Sequence, residues 1–263
     1  MIKLLQGDCL DKFKEIEDNS IDMVLTDPPY GTTACKWDSI IPLELMWENL
    51  KRISKHNSAI VMTSSQPFTS NLIMSNIEWF KYCWVWEKNR ATGHVHSKNK
   101  PMKKHEDICV FSSGTTIHSI QSNNRMPYYP QDLIKLPENT KRRTRNDSGD
   151  STVMGKRKSH KETFCEYTNY PISIIKFSIE MNDKRFHETQ KPVSLMEYLI
   201  KTYTKKEDIV LDFAMGSGTT GVACKRLDRD FIGIEKDMEI FEIAKTRINK
   251  IFNRKNIGVF FGN

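Results

Sequence analysis

The chain has 263 residues, 38% of them hydrophobic, which suits one large α/β domain or a domain carrying a sizeable insertion. Its 40 Lys and Arg against 33 Asp and Glu give a net charge of +7, favouring a polyanionic partner. No run of about 18 apolar residues occurs, so no membrane span is expected, and the six scattered cysteines lack a Cys-x-x-Cys pair, which disfavours zinc and redox motifs.

Residues 2–5 read as a short strand ending at Gly7-Asp8, a start too soon polar for a signal peptide, so a cytoplasmic protein is expected. A surface helix over 9–18 and a turn at Asp18-Asn19-Ser20 follow. The apolar, partly β-branched run 21–26 reads as a buried strand. The loop 31–40, with Lys36, Trp37 and Asp38, is too polar for core. Helical spacing returns over 42–54, where Leu43, Met46, Trp47, Leu50 and Ile53 share a face. Strands are predicted at 59–62 and 81–86, with a helix over 69–76 between them. A basic loop over 87–104 leads to a strand at 106–111, the antiparallel partner of 81–86. Residues 112–186 lose periodicity and read as an inserted region outside the core. A helix over 193–203, strands at 208–211 and 231–234, and helices to Leu227 and over 238–252 complete the chain. Strand–helix alternation of this kind predicts a doubly wound, mainly parallel sheet.

Thr26-Asp27-Pro28-Pro29-Tyr30 stands out. Neither proline can donate a ladder hydrogen bond, so they stop the strand and leave Asp27 at its carboxyl end, where open α/β sheets bind ligands. A carboxylate, a fixed carbonyl at Pro28 and the flat ring of Tyr30 can grip a planar ring by its face and its exocyclic amine. The same letters also suit a plain proline turn with Asp27 as an N-cap. Gly216-Ser217-Gly218 lies between a strand and a helix, with Glu235 ending the next strand. This is the setting of a nucleotide-type site, in which the acid accepts from ribose hydroxyls and the helix start offers free N–H groups. No Lys-Ser or Lys-Thr follows the glycines, so a phosphate cradle is disfavoured.

With these two loops in this order, the chain resembles the β-group of S-adenosylmethionine-dependent DNA amino-methyltransferases. Asp27-Pro28-Pro29-Tyr30 matches the catalytic motif. Asp212-Phe213-Ala214-Met215-Gly216-Ser217-Gly218 resembles the cofactor motif with one residue fewer before Phe213, and Thr189-Gln190-Lys191-Pro192 matches the motif before the first cofactor helix. The resemblance covers roughly residues 1–111 and 187–251. It implies a Rossmann-like methyltransferase domain from 1–111 and 187–263, with a target-recognition region inserted at 112–186.

The resemblance also implies roles. Asp27 and the Pro28 carbonyl, stiffened by Pro29, accept from the target amine, and Tyr30 stacks on a flipped base. S-adenosylmethionine is held by Asp8, Cys9, Asp27, Lys191, Pro192, Asp212, Phe213, Ala214, Gly216, Ser217, Gly218, Thr219, Glu235 and Lys236. No Pro-Cys dipeptide is present, which disfavours methylation of a cytosine ring carbon. The implied reaction is transfer to the N6 amine of adenine. Transfer to N4 of cytosine, action on RNA and a silent nucleic-acid-binding subunit stand as alternatives. Asp in place of the Ser more often carried by cytosine-directed members favours adenine.

Double-stranded DNA is the expected partner, and a homodimer is an open expectation. The basic run Lys141, Arg142, Arg143 and Arg145, the loop residues Lys88, Arg90, His94 and His96, and Lys36 and Trp37 are the expected DNA contacts. The histidines show no metal-ligand spacing, so no metal is expected.

Overall fold

The computed structural model describes residues 1–32, 38–117, 123–141, 164–179 and 190–251. They divide into two compact units, residues 1–129 with 173–263, and residues 130–172.

The first unit is built on eight strands: β1 (Ile2–Gln6), β2 (Ile21–Thr26), β3 (Ser54–Ser64), β4 (Phe80–Thr92), β5 (Lys103–Phe111), β8 (Ile174–Lys176), β9 (Ile209–Asp212) and β10 (Asp230–Glu235). Their order across the sheet is β1-β10-β9-β2-β3-β5-β4-β8. The run from β1 to β3 is parallel, β5 is antiparallel to both its neighbours, and β8 is parallel to β4. The helices are α1 (Cys9–Lys12), α2 (Leu43–Ile53), α3 (Phe68–Ser75), α4 (Val193–Tyr203), α5 (Thr219–Arg226) and α6 (Met238–Asn249). Two apolar layers cover the two faces. One includes Met23, Leu25, Leu199 and Phe231, and the other Phe13, Val24, Leu50 and Phe213. Alternate residues of β2 feed both layers, as a strand buried on two faces must. The doubly wound, mainly parallel reading therefore describes the sheet. Among the described residues no helix is long and apolar enough to cross a membrane.

The topology places the chemistry. From β9 the chain goes on to β10 on one side, while from β2 it goes to β3 on the other. The neighbours β9 and β2 therefore flank a switch point, where a crevice opens at the strand ends. Asp8, Glu235, Asp212, Asp27 and Thr63 all stand at the carboxyl ends of parallel strands or just beyond. Because β5 runs the other way, its beginning, with Glu106, lies at the same edge.

Several elements depart from the sequence reading. The helix over 9–18 is only α1 followed by a 3-10 turn at Phe13–Glu15. The loop 87–104 is shorter than expected, because Glu87 pairs with His105 and Thr92 with Lys103, carrying the hairpin past the core on polar residues. Strand β8 lies within the stretch expected to hold no core element. It is three residues long with one buried, too short for periodicity to register. Residues 112–129 and 173–179, where described, also belong to the first unit. The second unit contains the antiparallel pair β6 (Ile134–Lys135) and β7 (Tyr167–Thr168), extended by the Leu136 N–H to the Glu166 carbonyl and the Cys165 N–H to the Thr140 carbonyl.

Candidate active site

A cavity of about 1020 Å³ opens at the switch point, within the first unit. Its size is at the top of the usual range for ligand sites, roughly 300–1,000 Å³. Two groups of residues line it. One is the turn after β9 with Asp8, Cys9, Glu235 and Lys236; the other is Asp27 to Tyr30 with Trp86, Lys88, Glu106 and Lys191.

Asp27 is held at both oxygens. Tyr30 Oη donates to Asp27 Oδ1 at 2.7 Å and lies 2.9 Å from Thr63 Oγ1, while Thr63 Oγ1 also donates to Asp27 Oδ1. Lys191 Nζ is 2.8 Å from Asp27 Oδ2 and 3.1 Å from Glu106 Oε2. Lys88 pairs with the other oxygen of Glu106. Burial works against the charge on Lys191, but the Asp27 and Glu106 carboxylates outweigh it and hold the ammonium above the usual lysine range. Burial likewise works against Glu106, and the Lys191 and Lys88 ammonium groups hold it below its ordinary value. Burial and the neighbouring Asp27 carboxylate push Tyr30 well up, so its hydroxyl stays a donor. Its ring stacks on Phe68 at 5.4 Å, with Lys191 Nζ 5.7 Å from the ring centre.

The backbone beyond Tyr30 is fastened by Asp38. Its carboxylate accepts from the N–H groups of Tyr30, Gly31 and Thr32 at 2.8–2.9 Å. Gly31 has φ +66°, and a Cβ there would stand 2.8 Å from Ile40, so glycine is required. Asp38 lies in the loop read as too polar for core, and it is buried.

On the other side, Asp212 is buried and accepts from Thr26 Oγ1 at 2.8 Å, Thr220 Oγ1 at 2.6 Å and the Ala214 N–H at 3.2 Å. Burial pushes its carboxyl up to about 7 against these hydrogen bonds. Glu235 accepts the Gly216 N–H at 2.9 Å and the Asp237 N–H at 2.8 Å, and burial raises it above the usual carboxylate value. Two bonds leave its oxygens spare lone pairs for a ligand's hydroxyls. Asp8 accepts from the Leu10 N–H and pairs with Lys236 at 3.0 Å. These contacts outweigh burial and hold it below the usual value. Burial beside Asp8 pushes the Cys9 thiol up to about 12, so Cys9 is a neutral part of the wall. A cluster of carboxylates over an apolar floor of Phe213, Ala214 and Ile240 suits a cationic ligand with hydroxyls and a flat ring.

Most of the expected site residues meet in this cavity. Pro192 and Gly218 are not on its wall: Pro192 is the N-cap of α4, and Gly218, at φ +80°, packs against Ala244 at the start of α5. Lys191, expected at the cofactor, lines the cavity and pairs with Asp27 and Glu106. Lys88, expected at the DNA, lines the cavity too. Its ammonium pairs with Glu106 and lies over the Trp86 ring. Arg90, His94 and His96 are exposed near the end of the β4–β5 hairpin, and Lys141 is exposed in the second unit. Lys36, Trp37, Arg142, Arg143, Arg145 and Thr189 lie outside the described residues.

Sequence reasoning missed Thr63, Glu106 and Arg247. Glu106 carried a signal, a charge opening the apolar run Ile108–Phe111. Arg247 carried another, since it falls on the buried stripe of α6 with Phe241, Ala244 and Ile248. Its guanidinium bonds the Ser217 carbonyl and, at 2.7 Å, the Ser217 hydroxyl, fastening the glycine turn to α6.

Comparison with known proteins agrees with this geometry. Residues 21–246 match the profile of a family described as DNA methylase, the N6/N4 methyltransferases. The Type II methyltransferase M.HpaI of Haemophilus parainfluenzae is 26% identical over 264 residues, covering 95% of this chain and 75% of that protein. The crystal structure of the M1.HpyAVI–SAM complex is 26% identical with a TM-score of 0.59, covering 94% of this chain and all of that one. The cytosine-N4-specific PvuII DNA methyltransferase shares the fold at 15% identity and a TM-score of 0.63, covering 97% and 89%. The chain therefore belongs to the DNA methylase family of S-adenosylmethionine-dependent amino-methyltransferases.

Proposed function

We propose that the chain methylates the exocyclic N6 amine of adenine at a specific sequence in double-stranded DNA, in the cytoplasm. The observation that carries this reading is Asp27, presented at the end of β2 into the same cavity as the glycine turn after β9. The target amine donates to the Asp27 carboxylate and the Pro28 carbonyl, which leaves its lone pair directed away from the ring. When bound, S-adenosylmethionine supplies an electrophilic methyl group on a cationic sulfonium. Glu235 takes its ribose hydroxyls, Asp8 and Lys236 border its adenine, and Phe213 packs against it. The amine attacks directly, so no enzyme nucleophile is needed. It then sheds a proton, for which the Asp27 carboxylate is the acceptor within reach. Rate acceleration comes mainly from positioning and preorganised electrostatics. Flipping the base out of the duplex costs a few kcal/mol, offset by stacking and edge hydrogen bonds.

The inserted region reads the target sequence, and the exposed Arg90, His94, His96, Lys98 and Lys100 of the β4–β5 hairpin meet the DNA backbone. Asp at position 27, rather than Ser, supports adenine. The test is to methylate duplex DNA with labelled cofactor, digest it to nucleosides and separate them by mass spectrometry. Label in deoxyadenosine is expected. Label in deoxycytidine alone promotes the N4 reading, which the shared fold with a cytosine-N4 enzyme keeps as the second choice.

A further inference from the structure

Lys191 occupies a peculiar place. Its ammonium touches the carboxylate that the target amine must reach, and it lies over the ring of Tyr30, on which the base is expected to stack. It is a buried nitrogen donor at 2.8 Å from Asp27 Oδ2, a hydrogen-bonding distance an exocyclic amine would also adopt. A base amine donating to that oxygen meets an ammonium already there.

A second position exists for that ammonium. Glu106 Oε2 is buried and 3.1 Å from Lys191 Nζ, an ion pair that is its one close contact among the described residues. A buried carboxylate oxygen that shares its one cation with Asp27 can take that cation more fully. Lys88 fixes the other oxygen of Glu106 and keeps the carboxylate in place.

We propose that Lys191 is a placeholder for the target amine. It holds Asp27 while the site is empty of a base, and it withdraws onto Glu106 Oε2 when the base enters. Glu106 is thus a positioning residue, acting through Lys191. The exchange keeps the charges matched at each stage. Before entry Lys191 is shared between Asp27 and Glu106. Afterwards Asp27 accepts from the neutral amine and Glu106 takes the ammonium alone. The short movement suits an unbranched, flexible side chain with three donors. Because Asp27 and Glu106 hold Lys191 in its charged form, it remains a strong competitor for Asp27 until it has somewhere to go.

The proposal rests on the methyltransferase reading of this site. Its test is a set of variants, Glu106→Gln, Lys191→Met and the double substitution, measured in the full chain. The readouts are DNA KM, kcat and the affinity for S-adenosylmethionine. Removing the charge of Glu106 leaves Lys191 with Asp27 alone, so Glu106→Gln is expected to raise DNA KM about tenfold, with cofactor affinity within twofold of wild type. Adding Lys191→Met removes the competitor, so the double variant is expected to recover at least threefold in DNA KM. A pair that only stabilises the fold would lose and recover Tm together with KM, so recovery of KM at an unchanged Tm is the discriminating result. A double variant no better than Glu106→Gln overturns the proposal. Should Glu106→Gln prove unstable in thermal melts, Lys191→Met alone decides. A DNA KM at or below wild type supports the placeholder, and a tenfold rise overturns it. A wild-type chain that binds the cofactor but methylates no DNA overturns the reading of the site and the proposal with it. An active wild type without recovery overturns the proposal alone.

Discussion

Thr26 donates its hydroxyl to Asp212 over 2.8 Å, tying the end of β2 to the end of β9. The residue that follows Thr26 is Asp27, and the glycine turn follows Asp212. This hydrogen bond extends the β2–β9 pairing to the strand ends, where the two halves of the cavity meet. Asp212 has a consequence for stability. Its folded value of about 7 lies above its ordinary 3.8, so between these values the folded chain holds a proton that the unfolded chain releases. Stability from this group is greatest below 3.8 and falls as pH rises to about 7. Asp212→Asn removes that dependence. Thermal melts from pH 4 to pH 8 should show wild type losing ground to the variant across the interval. A constant difference in Tm would show that Asp212 does not titrate there.

Asp27→Ala is expected to lower turnover by about 10²–10³, the range for removing one preorganised hydrogen-bond partner. Affinity for S-adenosylmethionine should hold within twofold, because Asp27 faces Tyr30, Thr63 and Lys191 and makes no contact with Glu235 or Asp8. Single-turnover methylation alongside calorimetry separates the two effects. Turnover within threefold of wild type would remove Asp27 from the chemistry.

Much of this was legible in the sequence because it depends on local rules. The prolines after Thr26 stop a strand whichever neighbours it has. The turn glycines Gly216 and Gly218 take positive φ angles that other residues rarely adopt. The acids Asp8, Asp27, Asp212 and Glu235 each follow or close a short apolar run. What the sequence hid depends on strand direction and on side-chain reach. Glu106 joins the site only because β5 runs antiparallel to β3, which brings its beginning to the edge where the parallel strands end. Lys88 reads as a cation in a basic loop, but β4 continues through it to Thr92 and its ammonium pairs with Glu106. The placement of Lys191 on Asp27 links residues 164 positions apart, which no periodicity records.

Glu235→Ala should weaken binding of S-adenosylmethionine by about 10- to 150-fold, from the roughly 1.5–3 kcal/mol of hydrogen bonds to a charged group. Part of that loss acts through the protein, since Glu235 also orders the Gly216 and Asp237 N–H groups. Glu235→Gln keeps an acceptor and should fall between. DNA binding without cofactor should change little. Calorimetry that finds cofactor affinity untouched in Glu235→Ala would refute the ribose role.

Arg247 gives the most discriminating prediction, because nothing places it on the cavity wall. It reaches from α6 to the carbonyl and hydroxyl of Ser217, and neighbouring Ala244 packs where a Cβ on Gly218 would stand at 3.0 Å. The glycine turn is thus clamped from behind at two successive residues. Arg247→Met keeps much of the stem's packing but removes both hydrogen bonds, leaving the Ser217 carbonyl, in a buried residue, without its charged donor. The turn should lose order, so its N–H groups and Glu235 no longer meet the cofactor as one preset surface. Affinity for S-adenosylmethionine is expected to fall about tenfold, with a lowered Tm that saturating cofactor partly restores by mass action. Both bonds come from the one nitrogen Nη1, so Arg247→Lys keeps a charged donor but on a shorter stem, and should recover part of either loss. If Tm falls while cofactor affinity stays within twofold, Arg247 merely anchors α6, and the turn is set by its own glycines.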